Sequence, residues 1–347
     1  MEAVILAGGF GTRLKPLTYT RAKPLLPVLN KPMISYLIEQ LPKEVDKIIL
    51  AVNYRKEQIE EFFEEHDFGK EIVVNEEPKP LGTGGATKFA EKYITGRFFV
   101  LNSDIISSLN MEEILRFHER NKGVVTISLW PVENVSEFGV VEIKNGRITK
   151  FVEKPRPEEA PSNLINAGAY LLEPEVLDYI EEGKLVSMEK EIFPRIIEDG
   201  KTFLGFEIKG YWVDVGRISS YLKVHKLLME RQGKENVFGE GCEIRGEVRG
   251  TCAGNDVFIE EGCVIKNSVL FNGVKVGKNV EIEDSVIGEG CEIGPNSKLI
   301  NAVVGDGEVI KEGSYIKNER IWTRPVPEGY PEKQVGNVVR WSNEDKR

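Results

Sequence analysis

Leu6-Ala7-Gly8-Gly9-Phe10-Gly11-Thr12-Arg13-Leu14, continued by Lys15, Arg21 and Lys23-Pro24-Leu25-Leu26-Pro27-Val28, is the stretch that decides how the chain reads. Its three glycines follow a short apolar strand, Ala3 to Leu6. There the backbone can turn with positive φ and bring its N–H groups to an anion with no Cβ in the way. The first 31 residues carry five Lys or Arg (Arg13, Lys15, Arg21, Lys23, Lys31) against one acid, Glu2, in a chain of formal net charge -10. That local inversion of sign predicts a polyphosphate ligand. A bare Gly-Gly-x-Gly after a strand can also be an ordinary tight turn. The stretch is neither G-x-G-x-x-G nor a P-loop, since the lone Gly200-Lys201-Thr202 has Arg195 where a P-loop needs its first glycine.

Outward from that stretch, 347 residues predict two domains, and 41% apolar residues suffice for sizeable cores. An acidic balance without a basic run or aromatic-basic interleaving argues against nucleic acid as a partner. No apolar stretch approaches the ~20 residues of a membrane span. Met1 opens directly onto strand and loop without a signal peptide, which leads to the expectation of a cytoplasmic protein with no membrane partner. Cys242, Cys252, Cys263 and Cys291 form no C-x-x-C pair and read as buried free thiols.

From residue 1 to about 230, short strands alternate with amphipathic helices. Apolar runs at Ala3 to Leu6, Lys47 to Val52, Glu71 to Val74 and Arg97 to Leu101 predict buried parallel strands, with helices such as Met33 to Leu41 and Gln58 to Glu65 between them. This is an α/β pattern with a doubly wound, Rossmann-like sheet, in which ligands sit beyond the carboxyl ends of the strands. The glycine loop falls there, and so does Asp104. Asn145-Gly146 predicts a type I′ hairpin pairing Lys144 with Arg147, Ile143 with Ile148 and Gly139 with Val152. Asp214, in Tyr211-Trp212-Val213-Asp214-Val215-Gly216, lies among apolar residues, where an acid is costly unless paired or metal-bound; the plainer alternative is a cap for a helix over Ile218 to Arg231.

After about residue 237 the pattern changes. Aliphatic residues at Ile259, Ile265, Leu270, Val276, Ile282, Ile287, Ile293, Leu299, Val304, Ile310 and Ile316 recur with a period of 17 residues. Three short faces per coil, each with one inward aliphatic, predict a triangular parallel β-helix. The predicted boundaries are therefore 1–232 for the α/β domain, 233–320 for the β-helix and 321–347 for an extended tail. His66, His118 and His225 all precede the repeat, so acyl transfer by the β-helix is not expected, and support or homo-oligomerisation is the better reading.

Gly-Gly-Phe-Gly-Thr-Arg-Leu followed by Lys-Pro-Leu-Leu-Pro resembles the N-terminal fingerprint of the sugar-1-phosphate nucleotidylyltransferases. The hexapeptide repeat resembles the left-handed β-helix. Asp46 to Arg55, Leu101-Asn102-Ser103-Asp104 and Ser187 to Pro194 look most like the mannose-1-phosphate guanylyltransferase branch. The resemblance implies a reaction between a nucleoside triphosphate, GTP favoured, and a sugar 1-phosphate, with Mg²⁺ held by Asp104 and Asp214. It places the nucleotide at Leu6, Ala7, Gly8, Gly9, Gly11, Thr12 and Arg13, with Arg13 on the departing pyrophosphate and Lys23 bridging the two phosphates. It gives the base to the loop containing Gly82 and Thr83, where Glu76 or Glu77 could accept from guanine; thymine and uracil would suit a carboxylate poorly. It gives the sugar phosphate to Gly139, Glu153, Lys154, Asn166 and Glu191. Arg217, where the family often has Thr, is left without a role. Two rivals stay open: a glucose-1-phosphate enzyme using dTTP or UTP, and an inactive regulatory or scaffold subunit, although none of the expected phosphate and metal residues is missing.

Overall fold

The computed structural model describes residues 1–331. The chain forms two compact units, one of residues 1–9 with 34–213 and one of residues 10–33 with 214 onward. The first unit is built on nine strands: β1 (Glu2–Leu6), β2 (Lys47–Val52), β3 (Glu71–Glu76), β4 (Phe98–Asn102), β5 (Val125–Pro131), β6 (Gly139–Lys144), β7 (Arg147–Glu153), β8 (Leu164–Leu172) and β9 (Phe203–Glu207). They form one mixed sheet in the order β3-β2-β1-β4-β8-β5-β9-β7-β6. The four apolar runs near the N-terminus become β1 to β4, all parallel. Val4, Ile5, Ile49, Leu50, Phe99 and Val100 are fully buried, as continuous apolar strands covered on both faces require. Helices α1 (Met33–Ile38), α2 (Lys56–Glu65), α3 (Gly82–Phe89) and α4 (Met111–Asn121) supply the crossovers and layers. The doubly wound α/β reading therefore holds, although α1 stops at Ile38, short of the expected Leu41.

The hairpin at Asn145-Gly146 has both residues at positive φ, 53° and 77°, as a type I′ turn needs. Lys144 pairs with Arg147 and Ile143 with Ile148, but the register then shifts across Thr149. Gly139 consequently faces Glu153, and the expected partner Val152 pairs with Val140. One bulged residue is enough to move every later pair by one position.

In the second unit, helix α5 (Ile218–Arg231) precedes a β-helix of short strands stacked into three parallel sheets of six, five and five strands. From Val264 onward the partners are 17 residues apart, as in Ile265↔Ile282 and Val276↔Ile293. This is a triangular prism, consistent with the left-handed β-helix that the repeat resembles. Every aliphatic residue of the predicted series is buried in one core. The corners demand left-handed backbone and receive it from Asn or Asp at the same period: Asn267, Asp284, Asn301 and Asn318 have φ between 47° and 58°. Inside, Ser268 and Ser285 stack, each Oγ accepting the N–H of the next coil at 3.1 and 3.0 Å.

The four cysteines are free, and burial pushes the Cys252 and Cys291 thiols up to about 12. Among the described residues, no helix is long and apolar enough to cross a membrane.

Ile282 is 1% exposed in the middle coil. Replacing it with Ala removes three buried carbons from a stack that cannot collapse around the gap. The expected loss is about 2–5 kcal/mol, read as a lower denaturant midpoint of the β-helix transition.

Candidate active site

Strands β1 to β4 end at the same edge of the sheet, and the predicted nucleotide residues of the first unit emerge there. The Ala7 N–H donates to Ala51 O at 2.9 Å, and Leu6 O accepts the Ser103 hydroxyl at 2.8 Å. Glu77 leaves β3 with its N–H donating to Val52 O at 2.9 Å, while its own carbonyl accepts from Asn53 Nδ2 at 3.3 Å. A Cβ built at Gly8 would lie 3.3 Å from Glu77 Oε1 and 3.4 Å from Asn53 Cβ, so Gly8 allows a buried carboxylate beside the loop. A Cβ at Gly9 would meet nothing within 4 Å, and Gly9 has no positive φ. Neither packing nor backbone angle requires a glycine there. Asp104, half-buried, sits in the turn that follows β4.

The two acids left open by sequence separate clearly. Glu76 is exposed and pairs with Lys56 Nζ at 2.9 Å. Glu77 is 7% exposed, and its Oε2 accepts the Leu81 N–H at 2.9 Å. Burial raises the Glu77 carboxyl above its ordinary value, and the Leu81 N–H pulls the other way.

The second glycine loop serves packing. A Cβ at Gly82, where φ is +72°, would lie 2.6 Å from Val186 O, and one at Gly85 would lie 2.4 Å from Lys184 O. Gly84 N–H donates to the same Val186 O at 2.9 Å. The Thr83 hydroxyl donates to Glu189 Oε2 at 2.7 Å and accepts the Met188 N–H at 2.9 Å.

Glu189 was not singled out by sequence, yet it organises the predicted sugar region. Its Oε1 accepts the Tyr170 hydroxyl at 3.0 Å, and that oxygen accepts Asn166 Nδ2 at 2.8 Å. Burial first, and the Glu189 charge second, raise the Glu153 carboxyl. Glu153 also stands 3.7 Å from Lys154 Nζ. A Cβ at Gly139 would meet the Phe151 ring at 2.4 Å and Glu153 Oε2 at 2.8 Å, so this glycine admits those two side chains. Glu191 is exposed and accepts the Ser187 N–H at 2.9 Å. Helical spacing distinguishes the two acids. Met188, Ile192, Phe193 and Ile196 are buried, Glu189 falls on their stripe, and Glu191 falls opposite.

The second unit gathers the remaining predicted residues. Gly11 has φ +64°, and a Cβ there would lie 2.7 Å from Thr18 Cγ2 and 3.2 Å from Lys23 Cβ. A Cβ at Gly216 would lie 2.7 Å from Arg13 Nη2 and 2.9 Å from Asp214 Oδ1, so Arg13 and Asp214 flank one glycine. Thr12 opens the short turn Thr12–Leu14 that carries Arg13. Asp214 is not the cap of α5: Arg217 occupies that position, its N–H donating to Ser220 Oγ at 3.2 Å. Among the described residues, no three His, Cys, Asp or Glu side chains gather as a metal cluster.

Comparison with known proteins finds a family model for each part of the chain. The nucleotidyl transferase family model matches residues 2–231, and that of the GMPPB C-terminal domain matches residues 233–328. Mannose-1-phosphate guanylyltransferase 1 of Arabidopsis thaliana is 38% identical over 305 residues, covering 80% of this chain and 83% of its own. The mannose-1-phosphate guanylyltransferase catalytic subunit beta of Xenopus tropicalis is 41% identical over 230 residues, 64% of this chain and 63% of its own. The crystal structure of HddC from Yersinia pseudotuberculosis complexed with GMP-PN superposes with TM-score 0.55 at 29% identity, covering 65% of this chain and 99% of that one.

Two substitutions separate packing glycines from the rest. Gly82→Ala meets both a positive φ and a backbone oxygen and is expected to cost at least about 1–3 kcal/mol in chemical denaturation. Gly9→Ala should stay within about 0.5 kcal/mol of the parent. Glu77 gives a pH signature. The folded chain holds the Glu77 proton more tightly than the unfolded one, so this group's contribution to stability falls as pH rises from its ordinary pKa to the raised one. Glu77→Gln is therefore expected to gain stability relative to the parent as pH rises above the ordinary carboxylate value, measured by denaturation at each pH.

Proposed function

The chain belongs to the nucleotidyl transferase family, and from that premise we propose that it joins GTP to mannose 1-phosphate, giving GDP-mannose and pyrophosphate. The observation that carries this reading is the edge of the sheet, where Gly9 has open space on its Cα beside a buried carboxylate, Glu77, that abuts Gly8. A glycine demanded by neither φ nor packing is explained by a ligand that approaches the backbone closely, and phosphate on bare N–H groups does so. The carboxylate beside it suits guanine, whose N1–H and exocyclic amine are two adjacent donors.

The nucleophile is the sugar phosphate, already anionic at neutral pH, so the chain needs no nucleophile or general base of its own. Its task is to hold two anions in line about the α-phosphorus. The amides of Gly8 to Thr12 receive the triphosphate, and Arg13 holds the pyrophosphate as the bond to the α-phosphorus breaks. Lys23 lies between the charges of nucleotide and sugar phosphate. Glu153 and Asn166 orient the sugar hydroxyls, with Glu189 and Tyr170 fixing Asn166. Lys154, its side chain 60% exposed, meets the sugar's phosphate.

Asp104 and Asp214 are half-buried acids whose hard oxygens would hold Mg²⁺. When bound, the ion supplies neutralisation of the phosphate charge. We extend the reading to a cytoplasmic homo-oligomer assembled through the β-helix, whose surface exposes Phe238, Val309 and Tyr315.

Pyrophosphate release measured across GTP, dTTP, UTP and ATP, each with mannose 1-phosphate or glucose 1-phosphate, tests the assignment. The GTP and mannose 1-phosphate pair should turn over at least ~tenfold faster than any other, since a mispaired base edge leaves buried polar groups unsatisfied. Preference for dTTP or UTP with glucose 1-phosphate would transfer it to the rival chemistry, and no turnover with any pair would leave a non-catalytic subunit. Asp104→Ala should stay folded and lose divalent-dependent turnover by at least ~100-fold.

A further inference from the structure

The segment that carries Gly11, Arg13 and Lys23 belongs to the same compact unit as the β-helix, and residues 320–330 are built onto its backbone. Arg320 opens the last short strand of the six-stranded sheet. Its Nη1 donates to Arg13 O at 3.0 Å and to Lys15 O at 2.6 Å. Tyr330 completes the hold from the other side. Thr18 Oγ1 donates to Gly11 O at 3.0 Å, and the Tyr330 hydroxyl lies 3.1 Å from that same Oγ1 and 3.4 Å from Phe10 O. The Tyr330 ring meets Tyr19 edge-on at 4.8 Å, and Tyr19 in turn packs against Trp322 at 5.2 Å. Gly305 leaves the space in which Trp322 and Pro16 lie, since a Cβ there would meet them at 2.5 and 3.2 Å. Beyond the loop, Thr20 donates to Asp306 at 2.6 Å, and Arg21 pairs with Glu289 and stands 3.8 Å from Asp306.

Carbonyls of residues 10, 11, 13 and 15 are thus held by groups from residues 18, 320 and 330. A guanidinium bonded to two carbonyls two residues apart fixes the intervening peptides, and with them the direction in which residue 13 leaves the chain. Burial lowers the Arg320 pKa from its ordinary value. The Arg13 side chain itself is exposed. Its base is anchored while its head is available.

We propose that Arg320 and Tyr330 are positioning residues for the nucleotide's phosphates, clamping Phe10–Lys15 so that Arg13 is presented in one orientation; the proposal rests on the assignment of Arg13 to the pyrophosphate. The C-terminal segment is then part of the reaction's machinery although it touches no substrate. Loss of the clamp falls on the triphosphate, through Arg13, more than on the sugar, whose residues Glu153 and Asn166 belong to the other compact unit.

The test uses the full chain and its Arg320→Ala, Arg320→Lys, Tyr330→Phe and Arg13→Ala variants. KM and kcat are measured for GTP at saturating mannose 1-phosphate, then for mannose 1-phosphate at saturating GTP, with thermal unfolding alongside. Arg320→Ala should lower kcat/KM for GTP by at least ~tenfold and leave KM for mannose 1-phosphate within about twofold. Arg320→Lys, which keeps one donor for a carbonyl, should recover part of the loss, and Tyr330→Phe should lower kcat/KM for GTP by about threefold. If Arg320→Ala does not fold, the single-hydroxyl change at Tyr330 decides. GTP kinetics within twofold of the parent in the folded variants overturn the proposal. So does a loss shared equally by both substrates together with a lowered unfolding temperature, which is the mark of packing alone. Arg13→Ala separates the two levels: if it is impaired and the clamp variants are not, only the clamp falls, and if none is impaired, the assignment of Arg13 falls with it.

Discussion

The first unit depends on one register. Glu2–Leu6 pairs in parallel with Lys47–Ala51 on one side and with Phe98–Asn102 on the other, residue for residue and without a shift. Parallel strands in matched register finish at a common level, so the loops after them open on one edge. Gly8, Asn53, Glu77 and Asp104 are neighbours of that edge because the strands beneath them are aligned. A slip of one residue would turn every buried aliphatic toward the wrong face and scatter the loops.

The glycines of this chain do different physical work. Gly82, Gly84 and Gly85 bring the start of a helix against the backbone of residues 184–186, where a side chain would collide with carbonyl oxygen. Gly139 and Gly216 admit neighbouring side chains, Phe151 and Glu153 in one case, Arg13 and Asp214 in the other. Gly9 does neither. The same residue type in similar-looking loops therefore means packing at most positions and open space at one, and only the surroundings of each Cα distinguish them.

Half-buried carboxylates in the first unit form a linked set. Glu189 is held by Thr83, Ser187 and Tyr170, so its charge is solvated by hydroxyls in place of water. Burial, and then that neighbouring charge, raise the Glu153 carboxyl, and Glu189 fixes Asn166 through Tyr170. The second unit uses a different principle. Its β-helix is a stack of repeating coils with an aliphatic core and serine and asparagine ladders.

The alternation of strand and helix, the four parallel strands, the span of α5 and the 17-residue coil were all legible from sequence. Each is governed by periodic burial, and a period is a local property of residue order. The glycine loop after β1 and its cluster of cations were legible because glycine spacing and a local reversal of charge are likewise written along the chain. The hairpin register beyond Thr149, the choice of Glu77 over Glu76, the inward turn of Glu189 and the anchoring of Phe10–Lys15 by Arg320 and Tyr330 were not. Each turns on which groups meet after the chain closes over tens to hundreds of residues. A bulge, a buried carboxylate or a guanidinium on a distant carbonyl leaves no repeating mark in the order of amino acids.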